Sequence, residues 1–227
     1  SILAGANRPT RGQLYANEEP VSFASVREAR ARGISAVFQE FSLVPQLTVA
    51  ENLFLGAEPL KHGLLDRSGE IKRAQELLER LGFPLRAERQ VQYLSRAEQQ
   101  MVEIAKAFRS DLSVLILDEP TASLTERETE SLFALIAQAK ARGVGIVYIT
   151  HRIAEIRRIA DRVTVLRDGR VVLSQAVGAL TPAEIVEAII GHRLASELVY
   201  QQRSIPADAP VILSAHDISS ATVLNGA

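Results

Sequence analysis

The stretch Val114-Leu115-Ile116-Leu117-Asp118-Glu119-Pro120-Thr121 decides the fold of this chain. Its leading apolar residues predict a strand that is buried on both faces, as in a parallel sheet with helices on either side. Ligands of such sheets lie beyond the carboxyl ends of the strands, so the two carboxylates are expected at a ligand site. The alternative is a strand whose final acids only solvate a turn. The apolar run before the acids and the Pro-Thr after them make that alternative the weaker interpretation.

Two further apolar runs end in polar residues that are candidates for the same site. Residues 34–38 lead into Gln39, and residues 144–149 are followed closely by His151. Taken alone, such a glutamine is more often a turn residue and such a histidine more often a hydrogen-bonded structural residue. If the three runs are neighbouring parallel strands, their carboxyl ends meet at one edge of the sheet. We therefore expect these side chains to share one site: Gln39, Asp118, Glu119 and His151.

Helix starts are marked by a Ser or Thr that is followed three positions later by Glu. Such a pair satisfies free backbone amides at a helix N-terminus. Because these starts alternate with short apolar runs, the sequence predicts an α/β fold with a mostly parallel sheet covered on both faces. The pairs are Ser25/Glu28, Thr48/Glu51, Ser95/Glu98, Thr125/Glu128 and Thr181/Glu184.

Two kinds of segment depart from this alternation. From about residue 66 to residue 110 the sequence indicates only helices, with Gly82 as a helix stop, so an all-helical segment interrupts the α/β part. Polar turns between short apolar runs indicate two hairpins. These hairpins are expected to join residues 13–15 to 21–23, and residues 163–166 to 171–173 through Asp168-Gly169.

The composition excludes several classes of protein. The 227 residues contain no cysteine, which excludes a disulfide framework, a thiolate zinc site and a cysteine nucleophile. No apolar run approaches the ~20 residues that cross a bilayer. The 26 basic and 27 acidic residues give a net charge of −1, whereas a protein that binds nucleic acid by charge neutralisation usually has a basic surplus. We therefore expect no nucleic-acid partner.

The segment that begins at Ser95 opens a helix, so it offers free amides and the positive end of the helix dipole to an anion. The Ser95/Glu98 pair also explains the serine as a helix cap without any ligand. The segment precedes Asp118 by one helix and one strand, and taken alone it leaves both interpretations open.

Four segments together resemble the ATP-binding subunit of an ABC importer. The likeness is strongest to the monosaccharide importers of the ribose, galactose and xylose class, whose ATPase carries two cassettes in one chain. It implies a P-loop NTPase-like cassette with an inserted helical subdomain. The segments are Val37-Phe38-Gln39-Glu40, the run from Leu94 to Ala107, the run from Leu115 to Thr125 that contains the Walker B pattern, and the run from Gly145 to Arg152.

The resemblance implies a role for each motif residue. Glu119 would be the general base, His151 the switch histidine at the γ-phosphate, and Gln39 the Q-loop residue that senses Mg²⁺ and the permease. Asp118 would hold Mg²⁺ with Gln39. The residues Ser95, Ala97 and Gln99 belong to the signature and would contact ATP, with Ser95 at the γ-phosphate that the opposite cassette holds.

The same resemblance implies partners and a location. ATP and Mg²⁺ would be bound, residues 41–56 would meet a transmembrane permease, and a second cassette of the same parent chain would complete the site. A periplasmic sugar-binding protein would act indirectly. The protein would be peripheral, at the cytoplasmic face of the cell membrane.

The departures from the family pattern are also specific. No G-x-x-x-x-G-K-[ST] motif occurs in the 227 residues, so the amides and lysine that cradle phosphates are missing from them. We expect the chain to begin within the helix that follows this P-loop, with the N-terminal strands and the P-loop missing and the chain inactive alone. In the signature, Arg96-Ala97 replaces the usual glycine pair, and Glu98 brings a negative charge towards a phosphate.

This interpretation divides the chain into three parts. Residues 1–193 would be a partial nucleotide-binding domain, residues 194–209 a linker, and residues 210–227 the start of a second cassette. Three alternatives stay open: a cassette for another cargo, such as a nucleoside or a signalling sugar; a non-catalytic assembly module that lends its signature and docking surface to a partner cassette; and a cassette of DNA repair or translation, which the charge balance disfavours.

Overall fold

Strands and helices alternate along the part of the chain that the structure, a computed structural model, describes: residues 2–16 and 18–191. The elements in chain order are β1 (Leu14–Ala16), β2 (Glu19–Val21), α1 (Val26–Ala31), β3 (Ile34–Val37), α2 (Val49–Phe54), β4 (Leu60–Lys61), β5 (Leu64–Leu65), α3 (Arg67–Arg80), α4 (Arg96–Ala107), β6 (Val114–Asp118), α5 (Glu126–Ala141), β7 (Gly145–Ile149), α6 (Ile153–Ile159), β8 (Arg162–Arg167), β9 (Arg170–Ala176) and α7 (Pro182–Ile190), with short 3-10 turns at Val91–Tyr93 and Val177–Ala179.

The central sheet is parallel and has the order β3-β6-β7. Its register places Val37 beside Leu117, and Leu117 beside Tyr148. The middle strand is buried, with Leu115 and Leu117 both fully inaccessible to solvent. Such burial needs apolar side chains on both faces, because a central strand of a parallel sheet is covered from both sides. The α/β fold and the adjacency of the three predicted strands are therefore confirmed.

Strand β7 is partly exposed, contrary to the expectation that the sheet is covered on both faces. Its lateral edge is also open, because β7 pairs with β6 on one side and with no other described strand on the second side. Val147 is 38% exposed and Ile149 is 47% exposed, which is high for apolar residues of a parallel strand. A cavity of about 510 Å³ lies along this strand and is lined in part by Ile146 and Ala160.

All five predicted helix starts are confirmed. Thr48, Ser95 and Thr125 each form a reciprocal capping box, in which the hydroxyl accepts a backbone N–H and the Glu three residues later accepts the cap N–H. Ser25 caps α1 by accepting from the N–H of Glu28. Thr181 exchanges the same bonds with Glu184 before α7.

The predicted helical segment is also confirmed. Between residues 66 and 110 the structure has α3, α4 and a 3-10 turn, and it has no strand there. Gly82 follows the end of α3 at φ +71°, a left-handed conformation that is favourable for glycine and that ends the helix. The large apolar core joins this segment to α2, α5 and β6.

Three antiparallel strand pairs lie outside the central sheet. The pairs β1-β2 and β8-β9 confirm the two predicted hairpins, with bounds shifted by one to three residues. The pair β4-β5 has only two residues per strand, so it is too short to give an alternating pattern in the sequence. A second, smaller apolar cluster packs β8 and α7 with α6.

The predicted linker and second-cassette start lie outside the described residues. None of the described helices is long and apolar enough to cross a membrane.

Candidate functional site

The carboxyl ends of β3, β6 and β7 bring the predicted residues to one edge of the sheet. Asp118 is the last residue of β6 and pairs with Ile149, the last residue of β7. Gln39 lies two residues beyond the end of β3, and His151 lies two residues beyond the end of β7. The register of the parallel strands therefore places these residues, with Glu119, at the same edge, as the sequence predicts.

The backbone at Glu119 is in the left-handed region, with φ +45°. A residue with a side chain rarely adopts this conformation, and the cost is of order 1–3 kcal/mol unless surrounding contacts hold it. Two hydrogen bonds hold it here. The N–H of Glu119 donates to the carbonyl of Ile149 at 2.9 Å, and its carbonyl accepts from the N–H of Ala122 at 3.2 Å. The chain therefore turns sharply after Asp118, and the carboxylate of Glu119 is directed to His151.

Glu119 and His151 contact each other directly. The distance between His151 Nδ1 and Glu119 Oε1 is 3.0 Å. Because a carboxylate only accepts hydrogen bonds, Nδ1 carries the proton in this contact and Nε2 is left for another partner. The His151 side chain is 74% exposed, and that of Glu119 is 30% exposed. The pair therefore faces open space at the edge of the sheet, where a ligand has access to both groups.

Asp118 and Gln39 supply only oxygen donors of the kind that Mg²⁺ prefers. Magnesium is usually held by one or two carboxylates, with phosphate oxygens and water completing its coordination. No group of three or more His, Cys, Asp or Glu side chains that could hold a metal occurs within residues 2–16 and 18–191. The donor set therefore fits a magnesium ion that arrives with a nucleotide, and it does not form an all-protein cage.

A buried cluster lies behind this edge of the sheet and was not predicted from the sequence. Glu155, in the first turn of α6, accepts from Thr121 at 2.7 Å, from Tyr148 at 2.9 Å and from Thr150 at 3.0 Å. Thr121 lies on the segment that follows β6, Tyr148 lies on β7, and Thr150 directly follows β7. The sequence signal is an acid four residues after His151, in the first turn of the helix that follows.

The signature residues lie at the start of α4, away from the strand ends. No hydrogen bond or ion pair among the described residues joins the two groups. Ser95 is exposed, but its hydroxyl accepts from the N–H of Glu98 at 3.2 Å. Gln99 is partly buried, and its Nε2 donates to the carbonyls of Val91 and Leu94. Ala97 lies between them and is partly buried. Contact of Ser95, Ala97 and Gln99 with a nucleotide stays a prediction.

The carboxylate of Glu98 has internal partners. It accepts from the N–H of Ser95 and from Arg89, each at 2.7 Å. Burial raises the pKa of Glu98, but its hydrogen bonds with Ser95 and its ion pair with Arg89 outweigh that effect and leave the pKa below its usual range. Glu98 is therefore ionised near neutral pH. Its charge is partly compensated by Arg89, which reduces its repulsion of an approaching phosphate.

The loop that follows Gln39 is fixed to α4. Glu103 accepts from the backbone N–H and from the hydroxyl of Ser42, and Lys106 donates to the same hydroxyl at 2.8 Å. The guanidinium of Arg96 lies 5.3 Å from the ring centre of Phe41. These contacts connect the loop at the first strand end to the helix that carries the signature.

Comparisons with known proteins agree on one family. The family model described as ABC transporter matches residues 1–122. The chain is 47% identical over 193 residues to the ribose import ATP-binding protein RbsA 3 of Rubrobacter xylanophilus, and this match covers 85% of the chain and 39% of that relative. It is 42% identical over 226 residues to RbsA of Lactococcus lactis subsp. cremoris, with 99% and 45% covered. The chain thus spans less than half the length of these curated relatives.

Solved structures show the same fold. A dimeric ATP-binding cassette in a post-hydrolysis state with ADP and Pi has a TM-score of 0.66 and 27% identity, with 78% of each chain covered. The ADP conformation of a second cassette of an ABC transporter has a TM-score of 0.68 and 22% identity, with 84% of this chain and 81% of that one covered.

Proposed function

Because the chain belongs to the ABC transporter family, we propose that residues 1–193 form part of an ATP-binding cassette of a protein that hydrolyses ATP to drive the import of a monosaccharide. The observation that carries this proposal is the 3.0 Å contact between Glu119 and His151, next to Asp118 at the open edge of the sheet. A carboxylate at this position fits a base for water, and an imidazole beside it fits the charge that develops on a transferred phosphoryl group.

The mechanism assigns one task to each side chain. Glu119 Oε1 is engaged by His151, so its second oxygen is available to accept a proton from the attacking water. With both ring nitrogens protonated, His151 donates from Nδ1 to Glu119 and from Nε2 to the γ-phosphate. Asp118, with Gln39, would hold Mg²⁺, which when bound neutralises charge on the phosphate oxygens. Hydrogen bonds with Ile149 and Ala122 hold the strained turn at Glu119, which favours preorganisation of the base.

The nature of the cargo is proposed from the relatives. Several proteins that are 42–47% identical to this chain are named as ribose import ATP-binding proteins, and one is named for ribose, galactose or methyl galactoside. We infer that the cargo is a monosaccharide of this class, that the partners are a membrane permease, a second cassette and a sugar-binding protein, and that the protein acts at the cytoplasmic face of the membrane. The loop after Gln39 is hydrogen-bonded to α4 through Ser42. These contacts would connect a permease bound at residues 41–56 to the helix that carries the signature, which supports residues 41–56 as the permease contact.

The test measures ATP hydrolysis by the full-length protein with its permease in vesicles. We expect Mg²⁺-dependent hydrolysis that rises when ribose and a sugar-binding protein are added. The variant Glu119→Gln should abolish most of this activity, whereas Glu126→Gln, at an exposed acid in the first turn of α5, serves as the matched control. Hydrolysis that is unchanged in Glu119→Gln would contradict the proposed role of the base.

A second candidate, the non-catalytic assembly module, is favoured by the absence of a G-x-x-x-x-G-K-[ST] motif from the 227 residues. This module would still offer the helix start at Ser95, where Glu98 accepts from Arg89 and from the N–H of Ser95, and the Ser95 hydroxyl accepts from the N–H of Glu98. Under this alternative, Glu119→Gln would leave hydrolysis by the assembled transporter unchanged, while Ser95→Arg would reduce it by blocking the partner's nucleotide. If the chain is instead part of the proposed ATPase, both Glu119→Gln and Ser95→Arg should lower ATP hydrolysis.

A further inference from the structure

Glu155 is a buried acid that the mechanism above does not use. It is only 6% exposed, although it lies one helical turn from a highly exposed histidine. A carboxylate that loses water needs hydrogen-bond donors at both oxygens. Glu155 has them: Oε1 accepts from Thr121 at 2.7 Å and lies 3.5 Å from Arg152, and Oε2 accepts from Tyr148 at 2.9 Å and from Thr150 at 3.0 Å.

The donors belong to the two segments that carry the site. Thr121 lies two residues after Glu119, within the turn that follows β6. Thr150 immediately precedes His151, and its hydroxyl also accepts the N–H of Arg152 at 3.0 Å. The residues on both sides of His151 are therefore fixed through Thr150 and Glu155. One carboxylate thus connects the turn of the proposed base to the loop of the histidine.

The charge of Glu155 suits this connection. Burial, together with the hydrogen bond to Glu155, raises the pKa of Tyr148 above its usual range, so that hydroxyl stays protonated and keeps donating. The guanidinium of Arg152 supplies a nearby positive charge. Hydrogen bonds to an ionised acceptor are about twice as strong as neutral ones, so a carboxylate holds these donors better than an amide does.

His151 depends on its backbone for its position. Its side chain is 74% exposed, and its one hydrogen bond among the described residues is to Glu119. We propose that Glu155 is a positioning residue for ATP hydrolysis: it fixes the Thr150–Arg152 loop to Thr121, and so keeps His151 in contact with Glu119. This inference rests on the proposed function, because it assigns a purpose to the pair that would carry the reaction.

The kinetic test uses the full-length protein with its permease. Glu155→Ala removes all the contacts, and we expect kcat to fall roughly 10-fold to 10²-fold while KM for ATP stays nearly constant, because the misplaced group acts in the transition state. Glu155→Gln keeps the size and part of the bonding, so its kcat should lie between those of Ala and wild type. A fall in kcat that is equally large for Glu155→Gln and Glu155→Ala would show that the negative charge of Glu155, and not the size of its side chain, holds the His151 loop.

A double-mutant cycle separates positioning from general destabilisation. If Glu155 acts through His151, Glu155→Ala should lower kcat much less in a His151→Ala background than in the wild type. Equal falls in both backgrounds would overturn the proposal. The control is Glu130→Gln. Glu130 lies on α5 and forms a bidentate ion pair with Arg158, which is on α6 like Glu155. This substitution does not touch the His151 loop. It should leave kcat unchanged.

Hydrogen exchange tests the same inference without the reaction. In Glu155→Ala, the amides of Glu119 and Arg152 should exchange faster, while amides within β6 keep their protection. If Glu155→Ala does not fold, Tyr148→Phe removes one donor alone and should give a smaller change of the same kind. Unchanged exchange at these amides would overturn the proposal even if the wild type hydrolyses no ATP, whereas wild-type inactivity with the expected exchange pattern would contradict only the proposed function.

Discussion

At position 119 a glutamate that contacts His151 has a backbone conformation that is rare for residues other than glycine. The φ of +45° turns the chain immediately after Asp118, and the N–H of Glu119 continues the β6-β7 ladder by donating to Ile149. Because of this turn, the carboxylate of Glu119 contacts His151, while Asp118 stays at the end of β6. The arrangement depends on neighbouring strands, because a free turn would not hold this conformation.

A first prediction at the residue scale concerns the rate of ATP hydrolysis by the full-length protein. Glu119→Gln and His151→Ala should each lower kcat by roughly 10²-fold or more, since both groups act on charge that develops in the transition state. The KM for ATP should change little. Steady-state kinetics across ATP concentrations measure both constants. Weaker ATP binding with an unchanged kcat would show that the assigned roles are wrong.

A second prediction concerns Glu70, an acid on α3 that is 7% exposed and whose Oε1 has no hydrogen-bond partner among the described residues. Burial, and then the nearby charges of Glu51 and Glu58, raise the pKa of Glu70. The folded state therefore binds a proton more readily than the unfolded state, so this group lowers stability as pH rises above the ordinary glutamate pKa.

Glu70→Gln removes that dependence. We expect the variant to be more stable than wild type near pH 7, by about 1 kcal/mol or less, and to lose the advantage as pH falls to 4. Urea unfolding at several pH values measures the difference, in which the contributions of other acids cancel. Stability curves that run parallel at all pH values would contradict the raised pKa.

At the scale of elements, short side-chain caps determine where helices begin. The hydroxyl of Thr125 accepts from the N–H of Glu128 at 3.4 Å, and the carboxylate of Glu128 accepts from the N–H of Thr125 at 2.8 Å. The two residues thereby satisfy amides that have no partner inside α5. The start of α5 also fixes the far end of the turn that begins at Glu119, so this cap contributes to the shape of the site.

The third prediction follows from this cap. Thr125→Ala should lower the free energy of unfolding by about 1 kcal/mol, the usual cost of losing a hydroxyl cap. Ser131→Ala is the matched control, because Ser131 lies on the exposed side of the same helix and bonds only to the carbonyl of Arg127. Chemical denaturation of both variants measures the difference. Equal effects would show that the cap contributes nothing beyond helix propensity.

At the scale of the whole molecule, the 227 residues contain the acid, histidine and glutamine of the site but no phosphate-cradling glycine-lysine motif. Asp118 and Gln39 would hold a magnesium ion together with phosphate oxygens and water, because their own oxygens do not complete its coordination. Strand β7 also presents an unpaired edge and partly exposed apolar residues within the described part of the chain.

The fourth prediction is that the 227-residue chain, on its own, neither hydrolyses ATP nor binds it tightly. An intact site at 100 times Kd would stabilise the fold by about 2.7 kcal/mol, so a thermal scan with and without MgATP is a sensitive measurement. We expect no saturable rise in melting temperature. A clear rise, or steady Mg²⁺-dependent turnover that Glu119→Gln abolishes, would mean that another segment takes the place of the missing motif.

The fifth prediction is self-association of the same chain. An unpaired strand edge with exposed apolar side chains pairs readily with another edge. Sedimentation at several concentrations should therefore show species larger than a monomer, and Val147→Lys on β7 should reduce them. Val26→Lys on helix α1, at a residue that is 37% exposed and lies on no strand edge, is the control and should have no effect. A monodisperse monomer at all concentrations would contradict this prediction.

The sequence by itself determined the order of elements, the helix starts and the strand ends that carry the site. These features are local: a Thr followed by Glu at the right spacing caps a helix wherever it lies, and the apolar run before Asp118 forms a buried strand in any parallel sheet. The positions of Gln39, Asp118, Glu119 and His151 after apolar runs also predicted that they share one site, because the carboxyl ends of adjacent parallel strands meet at one edge.

Only the tertiary structure decided the left-handed turn at Glu119, its contact with His151 and the burial of Glu155. The four side chains around Glu155 come from the segment after β6, from β7 and from the loop between β7 and α6, and they lie 3 to 34 residues from Glu155 in the sequence. Neither hydrophobic periodicity nor capping patterns report contacts of that kind. Which hydroxyls bond to a buried carboxylate depends on the packing of whole elements, and that packing is a property of the folded chain rather than of any one segment.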